Sequence, residues 1–200
     1  MPALALLAAY LIGAIPFGFL LVKLKTGADI RSSGSGNIGA TNVLRTSGRA
    51  AGIATLLLDI AKGYFAVWLA GRLTGGSAFW TSAAALAVMA GHAYPIFLRF
   101  RGGKAVASFI GAFLYLTPAA MGAAAVLFIA VVAYTRFISL GSVLGAGTFP
   151  LAVWLILHPA WPVWVASLIA GAFIVYRHRQ NLERLHRGSE RLFSFEGRKS

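Results

Sequence analysis

The chain alternates long apolar runs with short polar stretches rich in cations. Apolar positions are near-continuous over about 3–24, 49–72, 78–100, 105–134, 138–157 and 163–176. Runs of roughly 20 apolar residues suit helices that cross a bilayer. The absence of period-two alternation argues against a membrane barrel. As one helix, 105–134 would be roughly 45 Å long at 1.5 Å per residue, too long for a simple crossing. The pattern therefore predicts a break at Thr117-Pro118, with an unusually short first half. Pro16, with Gly13 and Gly18 nearby, predicts a kink in the first run. The expected architecture is an all-α, polytopic integral membrane protein with seven transmembrane helices, forming one domain over 1–200.

Charge orients it. With the N-terminus outside and the C-terminus cytoplasmic, the inner side collects Lys23, Lys25, Arg31, Arg45, Arg49, Arg99, Arg101, Lys104, Arg136 and the seven cations of the tail. Only Lys62, inside a run, and Arg72 fall elsewhere. Five full spans plus a re-entrant pair would keep the same parity.

Composition supports this class. The 200 residues are 58% hydrophobic, and the mean hydropathy is +0.77. A soluble domain of this length has no interior for so much apolar surface. The formal net charge of +13 fits anionic lipid headgroups and an anionic ligand. Nucleic acid is not expected as a partner, because no basic helix with interleaved aromatics offers base readout. The lack of cysteine removes disulfides, thiolate catalysis and Cys-ligated metal. The four histidines and five acids show no metal-ligand spacing, so neither metal nor cofactor is expected. No basic region precedes the first apolar run, so a cleaved signal peptide is not expected either.

The polar stretches carry the candidate chemistry. Gly34-Ser35-Gly36-Asn37-Ile38-Gly39-Ala40-Thr41-Asn42, closed by Arg45, can turn successive N–H groups into one concavity suited to an oxyanion. Gly102 and Gly103 leave amides accessible before Lys104, where a helix start is expected. The tail adds Arg177, His178 and Arg179. The inferred topology puts the loops at about 26–48, 99–104 and 177–185 on one face, as a constellation for a phosphorylated ligand. Asp59 and Lys62, spaced i,i+3 within a run, read as a mutually neutralising pair or as an intramembrane functional pair. The glycine loop formally matches G-x-G-x-x-G, but a membrane helix precedes it, not a strand. A transporter would spread ionisable groups through the membrane and show inverted repeats. Here the cations gather on one face and no repeat is visible.

Three stretches together resemble a known family. Ser35-Gly36-Asn37-Ile38-Gly39-Ala40-Thr41-Asn42 resembles the first signature of the bacterial membrane glycerol-3-phosphate acyltransferases that use acyl phosphate, the PlsY family. Gly91-His92-Ala93-Tyr94-Pro95-Ile96-Phe97, running into Phe100-Arg101-Gly102-Gly103-Lys104-Ala105-Val106-Ala107, is similar to the second. Tyr176-Arg177-His178-Arg179-Gln180-Asn181-Leu182-Glu183-Arg184-Leu185 is similar to the third, and Asp59-Ile60-Ala61-Lys62-Gly63 to a further feature. The family lacks the H-x4-D motif of other glycerophosphate acyltransferases. Here too Phe97 stands five places after His92, and Glu183 five places after His178.

The resemblance implies an enzyme of the bacterial inner membrane with its active site facing the cytoplasm. It would transfer a fatty acyl group from acyl phosphate to the sn-1 hydroxyl of glycerol 3-phosphate, giving lysophosphatidic acid and phosphate. This is the first acylation of phospholipid biosynthesis. The expected substrate-binding residues are Ser35, Gly36, Asn37, Gly39, Asn42, Arg45, Gly102, Gly103, Lys104, Arg177, His178 and Asn181. Arg45, Ser35 and the glycine-loop amides suit the glycerophosphate, and Lys104 a position shared between the two phosphates. Asn37 and Asn42 are candidate oxyanion donors. His92, Lys104 and His178 are the expected catalytic groups. Either histidine, or the substrate phosphate itself, would accept the hydroxyl proton.

Overall fold

The computed structural model describes residues 1–194, so Arg198 and Lys199 of the tail lie outside it. The described residues form ten α-helices and two short 3-10 turns, with no strand. Where a kink is expected at Pro16, the first apolar run is divided outright into α1 (Pro2–Ala14) and α2 (Phe17–Thr26). Proline has no N–H and its ring crowds the preceding turn, so the ladder stops there. The glycine loop leads into the short α3 (Ala40–Ser47). The second run is α4 (Arg49–Leu73). The third run, interrupted by Gly91-His92 and Pro95, holds α5 (Ala78–Ala93), which ends before Pro95. Pro95 disfavours helical geometry at Tyr94, and a 3-10 turn, Ile96–Leu98, takes over.

The region 105–134 splits where expected. Helix α6 (Val106–Leu116) and α7 (Pro118–Thr135) meet at Thr117-Pro118, with proline at the start of α7. Then follow α8 (Ile138–Leu157), α9 (Trp161–Arg177) and the amphipathic α10 (Arg179–His186). Five helical segments are long and apolar enough to cross a bilayer: 2–26, 49–73, 78–98, 118–135 and 138–157. Helices α6 and α9 are apolar but shorter. At 11 residues, α6 is only about 16 Å long.

Helices α4 and α5 are central, α4 packed against α1, α2, α3, α5 and α6 and α5 also against α1, α6 and α9, while α7 lies outermost with α8 as its main partner. Small residues permit the closest crossings. A Cβ at Gly63 would strike the Ser108 carbonyl, and one at Gly111 the Ile60 carbonyl, which locks α4 to α6. The central core joins Val88 and Met89 of α5, Phe109 and Phe113 of α6 and Phe149 of α8, the three phenylalanines meeting ring to ring at about 5 Å. Ala84 and Ala85 are fully buried in this core, where their small side chains let the helices pack closely.

Candidate functional site

The glycine loop is built around one side chain. Asn42, on the first turn of α3, is buried; its Oδ1 accepts the Ser35 N–H at 2.9 Å. Its Nδ2 donates to the carbonyls of Asn37 at 2.8 Å and Ser33 at 3.0 Å. Gly34 and Gly36 turn the chain around it with φ of +63° and +70°, values that L side chains adopt only with strain. Asn37 Oδ1 accepts the Gly39 N–H at 2.8 Å, which presents the start of α3. The amide of Asn42 is thus spent inside the loop, whereas Asn37 Nδ2 has no partner among the described residues.

The second stretch is clamped from both sides. The Gly102 and Gly103 N–H groups donate to the carbonyls of Ala93 and His92, at 3.2 and 3.1 Å. The Gly103 carbonyl accepts Arg177 Nη2 at 2.7 Å. A Cβ at Gly103 would collide with His92 Nε2, so only glycine lets the turn lie on the imidazole. These two amides are therefore committed to the helix end and are not directed at a ligand. Lys104 leaves this turn and donates to Asn181 Oδ1 on α10. Burial pulls the Lys104 ammonium down to about 8.

The tail supplies the third wall. His178, buried at the α9–α10 junction, has Nδ1 2.8 Å from the Ile174 carbonyl. A carbonyl only accepts, so Nδ1 carries the proton and the neutral ring keeps Nε2 as an acceptor. Burial, reinforced by the Lys104 charge, lowers His178 to about 4, which keeps it neutral at physiological pH. His92 is also buried, with Nδ1 3.2 Å from Ser108 Oγ and 3.7 Å from Asp59.

Sequence reasoning missed the next part. After α10 the chain doubles back as a strap over the site. Glu190 places its carboxylate between Asn181 Nδ2 at 2.6 Å, Ser139 Oγ at 2.8 Å and Arg184 Nε at 2.8 Å. Burial pushes its carboxyl up, but hydrogen bonds from Asn181, Arg184 and Ser139 outweigh that and hold it below the usual range. Arg45 Nη2 donates to the Arg191 carbonyl at 3.3 Å, and the Phe193 N–H donates to the Arg136 carbonyl at 2.7 Å. A lone acid just beyond a cation-rich motif was the available signal for Glu190. The return of the strap has no local signature.

These walls enclose a cavity of about 900 Å³. Its polar end is lined by Ser35, Asn37, Gly39, Asn42, Arg45, Lys104, His178 and Asn181, with His92 and Glu190. Ile53, Leu56 and Ile60 of α4, Ile110 of α6 and Phe128, Ile129 and Val132 of α7 line the rest. Of the sequence-predicted residues, Gly36, Gly102, Gly103 and Arg177 stand behind this wall rather than in it. Among the described residues no cluster of metal-ligating side chains forms. The arrangement therefore joins a cation-bearing polar head to an apolar slot.

Comparison with known proteins bears on this arrangement. The family pattern described as glycerol-3-phosphate acyltransferase matches residues 3–188. A glycerol-3-phosphate acyltransferase of Geobacter sulfurreducens is 47% identical over 185 residues, covering 92% of this chain and 94% of the relative. One from Syntrophomonas wolfei is 43% identical over 188 residues, covering 94% and 95%. The crystal structure of PlsY (YgiH), an integral membrane glycerol 3-phosphate acyltransferase, in its glycerol 3-phosphate form superposes with a TM-score of 0.91 at 34% identity, covering 96% of each chain. Its lysophosphatidic acid form gives 0.88 at 32% identity, covering 98% and 97%.

Proposed function

The chain belongs to the glycerol-3-phosphate acyltransferase family, and on that premise we propose that it transfers a fatty acyl group from acyl phosphate to the sn-1 hydroxyl of glycerol 3-phosphate. The products are lysophosphatidic acid and phosphate. One observation carries the reading: a single cavity has Arg45, Lys104, His178 and Asn181 at one end and apolar side chains of α4, α6 and α7 at the other. Two phosphorylated substrates need a cationic head, and the acyl chain needs a dry slot.

In this scheme Arg45 and Ser35 hold the glycerophosphate, and Lys104 lies between the two phosphates. The sn-1 oxygen attacks the acyl carbonyl, the ester bond forms, and the bond from the acyl carbon to the phosphate oxygen breaks. Asn37 is the oxyanion donor, favoured over Asn42, whose amide is committed to the loop. The hydroxyl proton passes to His178 Nε2 or to the departing phosphate. A value of about 4 leaves the His178 ring neutral but weakly basic, which favours the second route, and the activated anhydride makes that route sufficient. Arg177 acts on Lys104 through the Gly103 carbonyl.

The same reading makes 1–200 one domain with seven crossings, N-terminus outside and tail in the cytoplasm. It is embedded in the inner membrane with the polar head at the cytoplasmic face. The gathering of cations in the loops supports this orientation.

The test is phosphate release from palmitoyl phosphate by the purified full chain, with and without glycerol 3-phosphate, beside palmitoyl-CoA and Arg45→Ala. The expected result is release that requires glycerol 3-phosphate, yields lysophosphatidic acid and collapses in Arg45→Ala. Turnover with palmitoyl-CoA alone would remove the acyl-phosphate assignment.

A further inference from the structure

Asp59 and Lys62 take no part in the scheme above, yet they form a charged pair inside a membrane helix. Both side chains are only 3% exposed, and Lys62 Nζ lies 2.7 Å from Asp59 Oδ1. Charges so placed are costly unless something uses them. Lys62 also donates to the Ile15 carbonyl at 2.7 Å, at the Pro16 break between α1 and α2. Its ammonium stands 5.6 Å from the centre of the Phe17 ring. On the other side, Asp59 Oδ1 is 3.7 Å from His92 Nδ1, which Ser108 Oγ also meets at 3.2 Å. The His92 carbonyl and ring together support Gly103, whose successor is Lys104.

An unbroken chain of contacts thus runs from the broken first span, through Lys62, Asp59 and His92, to the turn that aims Lys104. We infer that Asp59 and Lys62 are positioning residues for acyl transfer, acting through His92 on the Gly102-Gly103-Lys104 turn. The inference rests on the function proposed above.

The double variant Asp59→Leu/Lys62→Met separates the two roles. Removing both partners of a buried pair in favour of apolar residues is often tolerated by the fold, whereas removing one is not. A second variant, Ser108→Ala, touches the run of contacts only at His92, whose Nδ1 its hydroxyl meets. Steady-state kinetics with palmitoyl phosphate and glycerol 3-phosphate are measured beside thermal unfolding in detergent. The expected result is a double variant that unfolds near the wild-type temperature but loses about a hundredfold in kcat/KM for glycerol 3-phosphate, the scale of effect for about 1 Å of misplacement. Ser108→Ala is expected to raise KM for glycerol 3-phosphate with little change in kcat. A folded double variant with wild-type kinetics would overturn the inference while leaving the proposed function standing. So would a double variant that fails to fold beside a Ser108→Ala with wild-type kinetics. A wild-type protein without turnover would sink both readings together.

Discussion

Lys104 carries a pH dependence in its surroundings. Its folded value of about 8 lies below the ordinary 10.5 because burial disfavours the ammonium. A phosphate ligand requires the charged form. The sign follows: the ammonium is present below about 8 and lost above it, so kcat/KM for glycerol 3-phosphate should fall on the alkaline side. The expected limb falls about tenfold per pH unit above that value. In Lys104→Arg, whose guanidinium stays charged throughout, the limb should be absent whatever the absolute rate. A pH–rate profile of both proteins checks this, and an identical alkaline limb in the variant would move the titration elsewhere. At this scale residue type was readable and commitment was not. Ser35, Arg45, Lys104 and His178 are named from the polar stretches and Asn181 from the family resemblance, and all five line one cavity. That Asn42 is spent on its own loop, and that Glu190 shares Asn181 with Lys104, depend on who stands beside whom.

The helices show the same division between local and non-local information. Pro16 and Pro118 announced their breaks, since a missing N–H ends a ladder wherever it occurs. The third run carries Gly91-His92 and Pro95 as interruptions, and α5 ends among them at Ala93. The locking of α4 to α6 through glycines joins Gly63 to Ser108 and Gly111 to Ile60, residues about fifty positions apart. Gly111→Val pushes a side chain into the Ile60 carbonyl and should destabilise the protein by about 1–3 kcal/mol or more. Gly122→Ala, on α7 where a Cβ meets nothing within 4 Å, should be neutral or gain up to about 1 kcal/mol from helix propensity. Thermal unfolding of the two variants in the same detergent compares them directly. Equal midpoints would mean that α4 and α6 are not held by this crossing.

For the whole molecule, orientation in the bilayer is the outstanding quantity, and the cysteine-free chain is a clean background for measuring it. In the seven-crossing arrangement, Ala160→Cys in the α8–α9 turn is periplasmic and Arg187→Cys after α10 is cytoplasmic; both positions are exposed. A membrane-impermeant thiol reagent applied to intact spheroplasts should label Ala160→Cys and reach Arg187→Cys only after permeabilisation. The reverse pattern would invert the orientation. The sequence by itself determined the membrane class, the helix breaks at proline and the three polar stretches, because hydropathy, proline geometry and charge act over a few residues and need no partner. Only the tertiary structure decided which polar groups face the cavity. The clamp of Gly103 between His92 and Arg177, the strap that delivers Glu190 and the run of contacts from Ile15 to Lys104 all join residues distant in the chain. Their physical reason is packing, which brings such residues together only after every apolar face has found its neighbour.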